Sequence, residues 1–198
     1  MQFETTLCLV RHGETDWNLR QLTQGSTDVP LNDNGRMQAQ ATARALAGDR
    51  WDAVISSPLA RAQQTAQLIA EELRIPAVER EEGLVERSYG AAEGTGLSER
   101  KRLFPNKRIP GAESWEAVEV RAFAALERIV RRHAGKRVIV VSHGGTITRI
   151  LHRISDGEID RQTIRPQNAS MHLIAHNGSW KVLWYNGTAE SSGAASLR

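Results

Sequence analysis

An uninterrupted run of β-branched aliphatic residues from Val138 to Val141 is the feature that most constrains the fold of this sequence. The run is too short for a helix and is apolar at every position, which is typical of a strand buried on both faces of a parallel sheet. Parallel strands need crossover connections, which are usually helices. The run therefore predicts an α/β chain with this strand at the centre of the sheet.

The rest of the sequence contains the alternating elements that such a sheet requires. Strand patterns occupy 5–10, 51–56, a short stretch near Val78, 137–142, 170–176 and 180–185. Helical patterns occupy 33–47 with Asn32 as N-cap, Ser57-Pro58 to Leu73, 113–133 and 146–154. The alternation predicts a three-layer α/β sandwich with a mainly parallel central sheet flanked by helices. We expect one domain over 1–186 and a disordered tail, rich in Ser, Gly and Ala, over 187–198.

Composition narrows the classes of protein to consider. A net charge of +3 from dispersed basic residues is weak support for nucleic-acid binding, and no stretch is long and apolar enough for a membrane span. The single cysteine, Cys8, cannot form a disulfide within the chain, and we expect it to be a buried apolar residue. We expect a cytoplasmic protein. The densest basic cluster is interpreted as a solvated loop face, with steering of an anion as the alternative; it comprises Lys101, Arg102, Lys107 and Arg108.

Polar side chains follow three of the predicted strands. Arg11-His12-Gly13 follows the first strand, Arg61 lies in the first turn of the helix after the second, and His143 follows the central strand. Ligands gather at the carboxyl ends of the strands in such sheets. A neutral imidazole is a nucleophile, and a guanidinium group matches phosphate oxygens. Gly13 is expected to let a substrate approach the backbone closely.

Each of these groups also has an interpretation without function. The Arg11-His12 pair could be a chance strand end, Arg61 a surface arginine and His143 a satisfied core histidine. Glu86 lies in a predicted irregular loop over 86–94. It is either an exposed glutamate or a general acid that protonates a leaving group.

Taken together, these motifs resemble the histidine phosphatase superfamily, which includes the cofactor-dependent phosphoglycerate mutases and related small phosphatases. The resemblance covers about 5–185, and the order and spacing of its segments match. The segments are 11–15 (RHGET) with Trp17-Asn18, Gln24-Gly25, Pro30-Leu31-Asn32 with Gly35, 56–62 (SSPLARA) with Gln64-Thr65-Ala66, 84–90 (LVERSYG), 110–114 (PGAES) and 142–145 (SHGG).

The resemblance implies a role for each of these residues. His12 would attack phosphorus and become a phosphohistidine, and Glu86 would protonate the leaving group and then activate water. Arg11, Arg61 and a protonated His143 would hold the phosphoryl oxygens. Further substrate contacts would come from Asn18, Gln24, Gly25, Tyr89 and the N–H of Gly144.

No metal is needed in this scheme, because side chains supply the positive charge. His172 and His176 are four residues apart, but they lie in a predicted strand and lack the helical spacing of a zinc site. Residues 170–185 could form an exposed edge that pairs between chains, which leaves a homodimer open. We expect neither a nucleic-acid nor a membrane partner.

The resemblance leaves phosphatase and mutase activity open. A mutase must exclude water from its phosphoenzyme. The insertion with an arginine pair that cofactor-dependent mutases carry is missing between Glu86 and His143, and Lys107-Arg108 is a weak replacement. We therefore expect a cofactor-free phosphatase acting on a small phosphorylated metabolite. A mutase that uses 2,3-bisphosphoglycerate is the alternative, and an inactive binding protein on the same fold is the third. The segment 90–94 (GAAEG) lacks a tryptophan that many small phosphatases carry, so the substrate stays unassigned.

Overall fold

The computed structural model describes residues 4–161 and 163–189, which form a six-stranded sheet packed on both faces by helices. The strands are β1 (Thr5–Arg11), β2 (Ala53–Ser56), β3 (Val78–Arg80), β4 (Arg137–Ser142), β5 (Met171–His176) and β6 (Trp180–Gly187). The helices are α1 (Asp16–Leu19), α2 (Asp33–Leu46), α3 (Ala60–Glu72), α4 (Leu97–Leu103), α5 (Trp115–Arg132) and α6 (Gly144–Ile154). Short 3-10 helices cover Glu82–Leu84 and Gly90–Ala92.

The strands lie in the order β3-β2-β4-β1-β5-β6. The ladders that join β1, β2, β3 and β4 are parallel, whereas β5 pairs antiparallel with both β1 and β6. The chain turns from β5 into β6 within residues 177–179, because an antiparallel pair needs only a tight connection. The predicted α/β architecture is confirmed, and the sheet is mixed at the β5–β6 edge.

The central position predicted for β4 is confirmed by the way its side chains alternate between two cores. Val138 and Val140 pack with α5 and α6 on one face, and Ile139 and Val141 pack with α2 and α3 on the other. All four side chains are fully buried, which stabilises the fold by about 1.5–3 kcal/mol for each large apolar side chain. Cys8 of β1 lies in the second core, as expected, and burial raises the pKa of its thiol to about 12.

Helices α1 and α4 have no counterpart in the sequence-based prediction. The four residues of α1 are held by a capping box between Thr15 and Asn18, and a pattern of one turn is too short to show periodicity. α4 has no buried residue, and Leu97 and Leu103 are exposed, so the helix lacks an amphipathic stripe. The 3-10 helices at Glu82–Leu84 and Gly90–Ala92 were not predicted either. The other strands and helices agree to within a few residues; β2 begins at Ala53, α3 at Ala60, α5 at Trp115 and α6 at Gly144.

Strand β5 carries both histidines considered for a metal site. The His172 ring accepts from the Asn186 N–H (3.2 Å) and pairs with the Ser170 hydroxyl (3.2 Å), so it is a core histidine. Among residues 4–161 and 163–189, no group of three His, Cys, Asp or Glu side chains is placed to hold a metal. No helix of the same region is long and apolar enough to cross a membrane. Of the tail predicted from 187, Gly187 ends β6, and residues 190–198 lie outside the described part.

The loop after β1 and the start of α2 touch backbone to backbone. A Cβ added at Gly13 would lie 2.3 Å from the Gly35 carbonyl oxygen, and one at Gly35 would lie 2.0 Å from the Glu14 carbonyl oxygen. The expectation for Gly13 is therefore corrected, because its open side faces Gly35 and not a substrate. The contact fixes the loop that carries His12 against a helix terminus.

We expect Gly35→Ala to lower the stability of the fold, although alanine favours a helix over glycine by about 1 kcal/mol. The new methyl group must displace backbone atoms, and such overpacking costs about 1–3 kcal/mol or more. Urea unfolding measures the change. Gly48→Ala is the matched control, because no atom lies within 4 Å of its added Cβ; it should be neutral or stabilising by up to about 1 kcal/mol. Equal effects of the two substitutions would contradict the tight contact.

Candidate active site

The carboxyl ends of β1, β2 and β4 bring the predicted site residues together. Backbone hydrogen bonds continue past the strands, from the His12 N–H to the Ser142 carbonyl (3.0 Å) and from the Ser57 N–H to the Val141 carbonyl (3.0 Å). The rings of His12 and His143 consequently lie with their centroids 5.2 Å apart. Two imidazoles from distant parts of the chain are thus neighbours.

The His12 ring is held in one orientation by its own loop. Its Nδ1 lies 2.7 Å from the Gly13 carbonyl oxygen, and the ring is 3% exposed. Because a carbonyl only accepts, Nδ1 must carry the proton, which places the lone pair on Nε2. The tautomer that the backbone selects is the one that leaves Nε2 free as a nucleophile.

Arg61 is the largest fully buried side chain among the residues that the structure describes, so it is not a surface arginine. Its terminal nitrogens donate to the carbonyl oxygens of Thr27 (2.9 Å) and Gly25 (2.8 Å), whereas its Nε is buried without a partner. Carbonyl oxygens are neutral, so these bonds orient the guanidinium group without an ion pair, and the carboxylates of Glu86, Asp28 and Glu93 stabilise its charge from a distance. Burial lowers its pKa to about 10, and the group still stays charged at neutral pH.

Arg11 and His143 present unpartnered nitrogens in the same way. One terminal nitrogen of Arg11 donates to the Pro166 carbonyl (2.7 Å), and its Nε is buried without a partner. Nε2 of His143 pairs with the Ser57 hydroxyl (2.8 Å), while its Nδ1 is buried without a partner. Buried polar groups are almost always satisfied. Three orphaned nitrogens beside one free imidazole therefore indicate a site for an anion with several acceptor oxygens.

Glu86 lies at the N-terminus of α6. Its carboxylate accepts from the Gly145 N–H (2.9 Å) and the Arg87 N–H (2.8 Å), and the Thr146 hydroxyl is 3.3 Å away. A Cβ on Gly145 would lie 2.6 Å from this carboxylate, so only glycine admits it there. Glu86 is therefore a fixed acidic group at the rim of the anion pocket and not a free loop glutamate.

Two clefts meet at this point. The smaller, of about 410 Å³, contains His12 and Arg61, and the wider, of about 1340 Å³, contains Trp115 and Gly145. Arg11 and Glu86 line both clefts, whereas His12 lines only the smaller one. A molecule whose anionic group lay beside His12 would therefore extend past Glu86 into the wider cleft.

The remaining predicted contacts also line these clefts: Asn18, Gln24 and Gly25 the smaller, Gly144 the wider, and Tyr89 both. The Asn18 amide oxygen accepts from the Thr15 N–H (3.2 Å) and from the Asn168 amide (3.1 Å). Only its NH₂ group is thus left to donate to a ligand. A Cβ on Gly144 would lie 3.3 Å from Arg11 Nε, so this glycine keeps space beside an orphaned donor.

Comparison with known proteins identifies the family. The sequence pattern of the histidine phosphatase superfamily (branch 1) matches residues 7–188. The chain belongs to the histidine phosphatase superfamily.

The relatives of this superfamily member include proteins named as phosphatases and proteins named as phosphoglycerate mutases. The uncharacterized phosphatase PhoE of Bacillus subtilis (strain 168) is 40% identical over 190 residues, which are 96% of this chain and 98% of that protein. A 2,3-bisphosphoglycerate-dependent phosphoglycerate mutase of Methylobacterium radiotolerans is 33% identical over 176 residues, 80% and 82% of the two chains. The structure of phosphoserine phosphatase from Entamoeba histolytica in complex with 3-phosphoglyceric acid matches with a TM-score of 0.82 at 28% identity, covering 94% and 99%.

Several residues that complete the histidine phosphatase site were missed by the sequence analysis. Ser57 holds His143, and the Asn168 amide donates to the carbonyls of His12 (3.1 Å) and Gly13 (3.2 Å). Thr65 accepts from the Gly13 N–H (3.0 Å). Ser57 and Thr65 lie within a quoted motif, so a signal was present. Asn168 lies in the loop before β5, where the sequence shows no periodicity.

The protein's own groups keep both imidazoles neutral. Burial, and then the charges of Arg11 and Arg61, hold the pKa of His12 well below 6.5. Burial, followed by Arg61 and His12, does the same to the pKa of His143. The protonated His143 that the resemblance implies is thus disfavoured by the protein alone. A phosphoryl dianion beside the ring would act in the opposite direction, because an opposite charge favours the protonated form.

We expect the His12 ring of the free protein to stay neutral as the pH falls through 6.5, because burial and two guanidinium groups oppose its protonation. Nitrogen NMR of histidine-labelled protein reports this directly, with the urea-unfolded chain as the control that titrates near 6.5. Because the unfolded chain takes up protons that the folded site refuses, the free energy of unfolding should also decrease below pH 6.5. A His12 midpoint at or above 6.5 would contradict the assignment.

Proposed function

We propose that this protein is a metal-independent phosphomonoester hydrolase that acts through a phosphohistidine on His12. The observation that carries the proposal is the set of buried, unpartnered nitrogens of Arg11, Arg61 and His143 beside the free Nε2 of His12. A phosphoryl group supplies the acceptor oxygens that these donors lack. Its charge develops on its equatorial oxygens during transfer, which is where preorganised donors stabilise it most.

In the first step, Nε2 of His12 forms a bond to phosphorus while the bond between phosphorus and the ester oxygen breaks. Glu86 gives its proton to the departing oxygen. In the second step, water attacks phosphorus, the bond to Nε2 breaks, and Glu86 takes the proton that the water loses. The sequence of steps returns both residues to their starting states and releases inorganic phosphate.

Further residues would orient the phosphoryl group. The NH₂ of Asn18, the Gln24 side chain, and the backbone at Gly25 and Gly144 line the pocket and would contact the phosphoryl oxygens. Tyr89 lines both clefts, next to the path of the leaving group. These contacts hold phosphorus in line with Nε2, and such positioning is a large part of phosphoryl-transfer catalysis.

The leaving group would occupy the wider cleft. In-line attack from His12 directs the departing oxygen away from the smaller cleft, toward Glu86. Three cationic side chains line the wider cleft together with the acidic Glu116: Lys107, Arg161 and Arg165. Arg165 lines the smaller cleft as well. Two guanidinium groups, of Arg87 (4.6 Å) and Arg149 (4.3 Å), already lie over the Trp115 ring. This environment favours a small leaving group with an acidic function over one that needs an aromatic face for stacking.

The breadth of the wider cleft favours hydrolysis over mutase activity. A mutase must keep water from the phosphohistidine. The wider cleft beside Glu86 has a volume of about 1340 Å³, which gives water access to the site. The second candidate is a mutase that uses 2,3-bisphosphoglycerate. The cationic side chains of Lys107 and Arg165 favour it, because they could bind the second anionic group of such a substrate. An inactive binding protein has least support, because His12, Arg61, Glu86 and His143 converge.

We expect the protein to hydrolyse p-nitrophenyl phosphate in EDTA and His12→Ala to lose at least about 10³-fold in kcat, because the nucleophile is gone. His176→Asn is the matched control, since this ring packs on Trp180 (4.6 Å) away from the clefts. Acid-labile phosphate should be trapped on His12 in rapid-quench experiments. Full activity of His12→Ala, or phosphate on another side chain, would end the proposal. Interconversion of phosphoglycerates with weak hydrolysis would establish the mutase instead.

We expect Arg165→Gln to lower kcat/KM about 10–100-fold for 3-phosphoglycerate and less than about threefold for p-nitrophenyl phosphate. A hydrogen bond to a charged group contributes about 1.5–3 kcal/mol, and only the first substrate has a carboxylate to receive it. Lys101→Gln is the control, since Lys101 is an exposed residue of α4 outside the cleft lining. Equal losses for both substrates, or no loss for either, would show that the leaving group does not contact Arg165.

A further inference from the structure

The Glu93 side chain, outside both clefts, carries an unusually full set of hydrogen bonds. One oxygen accepts from the Ser26 N–H (3.0 Å), the Ser26 hydroxyl (3.0 Å) and the Tyr89 N–H (2.9 Å). The other accepts from the Thr27 N–H (2.8 Å) and the Thr27 hydroxyl. Partial burial raises the pKa of this carboxyl, but the five bonds outweigh burial and lower it overall. Glu93 is therefore an ionised anchor for the segment 26–27.

That segment carries the acceptors that orient Arg61. The two carbonyl oxygens that receive the Arg61 guanidinium group belong to Gly25 and Thr27, on either side of Ser26. Gly25 has a φ of +57°, and a Cβ there would lie 2.2 Å from a Glu93 carboxylate oxygen. The backbone of 25–27 is thus confined between the Glu93 carboxylate on one side and the guanidinium group on the other.

The same carboxylate reaches the leaving-group side of the site. It binds the N–H of Tyr89, three residues after Glu86, and the Tyr89 backbone also bridges to Ala112. Four of its five bonds, however, go to Ser26 and Thr27. The main effect of Glu93 must therefore fall on the backbone of 25–27 and, through its carbonyls, on Arg61.

We propose that Glu93 is a positioning residue that holds the Arg61 guanidinium group in place by fixing the carbonyls of Gly25 and Thr27. The chain of contacts runs from carboxylate to amide, from carbonyl to guanidinium, and then to the phosphoryl oxygens. Hydrogen bonds in such a chain polarise one another, so the negative charge of Glu93 also strengthens the acceptors that Arg61 meets. The inference rests on the proposed phosphoryl transfer, because it concerns how that transfer is oriented.

The test is Glu93→Gln, which keeps the shape but turns an NH₂ group toward N–H donors. Loss of one or two charge-assisted hydrogen bonds lets the backbone of 25–27 move and weakens the site. We therefore expect the dissociation constant of inorganic phosphate, measured by calorimetry, to rise about 10–100-fold, and kcat/KM for p-nitrophenyl phosphate to fall to a similar extent. Glu99→Gln, an exposed carboxylate of α4, should change neither quantity.

A double-mutant cycle separates positioning from general destabilisation. If Glu93 acts through Arg61, adding Glu93→Gln to Arg61→Met should cost less than about threefold, because the group to be positioned is absent. Arg61→Lys provides the second background should Arg61→Met fail to fold, and here too the loss should be smaller than in the wild type. Thermal unfolding of every variant accompanies the cycle.

Equal losses in the wild-type and Arg61-substituted backgrounds would overturn the inference, since they would indicate a merely structural role. Wild-type affinity for phosphate in Glu93→Gln would overturn it as well. Failure of the proposed function has a different signature, because the wild type would then not turn over p-nitrophenyl phosphate, or His12→Ala would retain activity. Binding of inorganic phosphate reports on how Arg61 is held in either case.

Discussion

The structure depends on keeping one guanidinium group, that of Arg61, buried and charged at the carboxyl edge of the sheet. Burying an ion costs several kcal/mol. Here the guanidinium group donates directly only to the neutral carbonyls of Gly25 and Thr27, while the carboxylates of Glu86, Asp28 and Glu93 stabilise its charge from a distance. The fold offsets this cost with two apolar cores and a dense hydrogen-bond network around 25–27. Burial, and then the charges of Arg11 and Arg61, hold the pKa of His12 well below 6.5, so its ring is neutral.

The sheet makes this arrangement possible because parallel strands end at one edge. The register that sets Arg11 beside Ser142 delivers the loops after β1 and β4 to the same place. The contact between Gly13 and Gly35 then holds the loop after β1 against α2. Glu86 accepts from the Gly145 N–H and so ties its own loop to the start of α6. The geometry of the candidate site is therefore a property of the whole sheet edge.

Local patterns predicted the elements whose outcome they set: an apolar run predicted β4, helical periodicity predicted α5, and residue type predicted the N-cap at Asn32. Elements and contacts that depend on a single turn or on a long-range partner were not predicted. α1 and α4 have no buried stripe, and Asn168 acquires its role only through bonds to residues about 150 positions away. In the segment 90–94 (GAAEG), the feature noted in the sequence was a missing tryptophan, whereas in the structure its glutamate forms five hydrogen bonds.

By itself, the sequence determined the alternating strands and helices, the buried centre of the sheet, and the chemical types of the site, because apolar period and residue chemistry are local properties. Only the tertiary structure decided that Nε2 of His12 is the free nitrogen, that Arg61 rests on two carbonyls, and that Glu93 fixes those carbonyls. These outcomes depend on which donor reaches which acceptor after packing. A hydrogen bond needs its partners within about 3 Å and well aligned, and no local pattern in the chain specifies that.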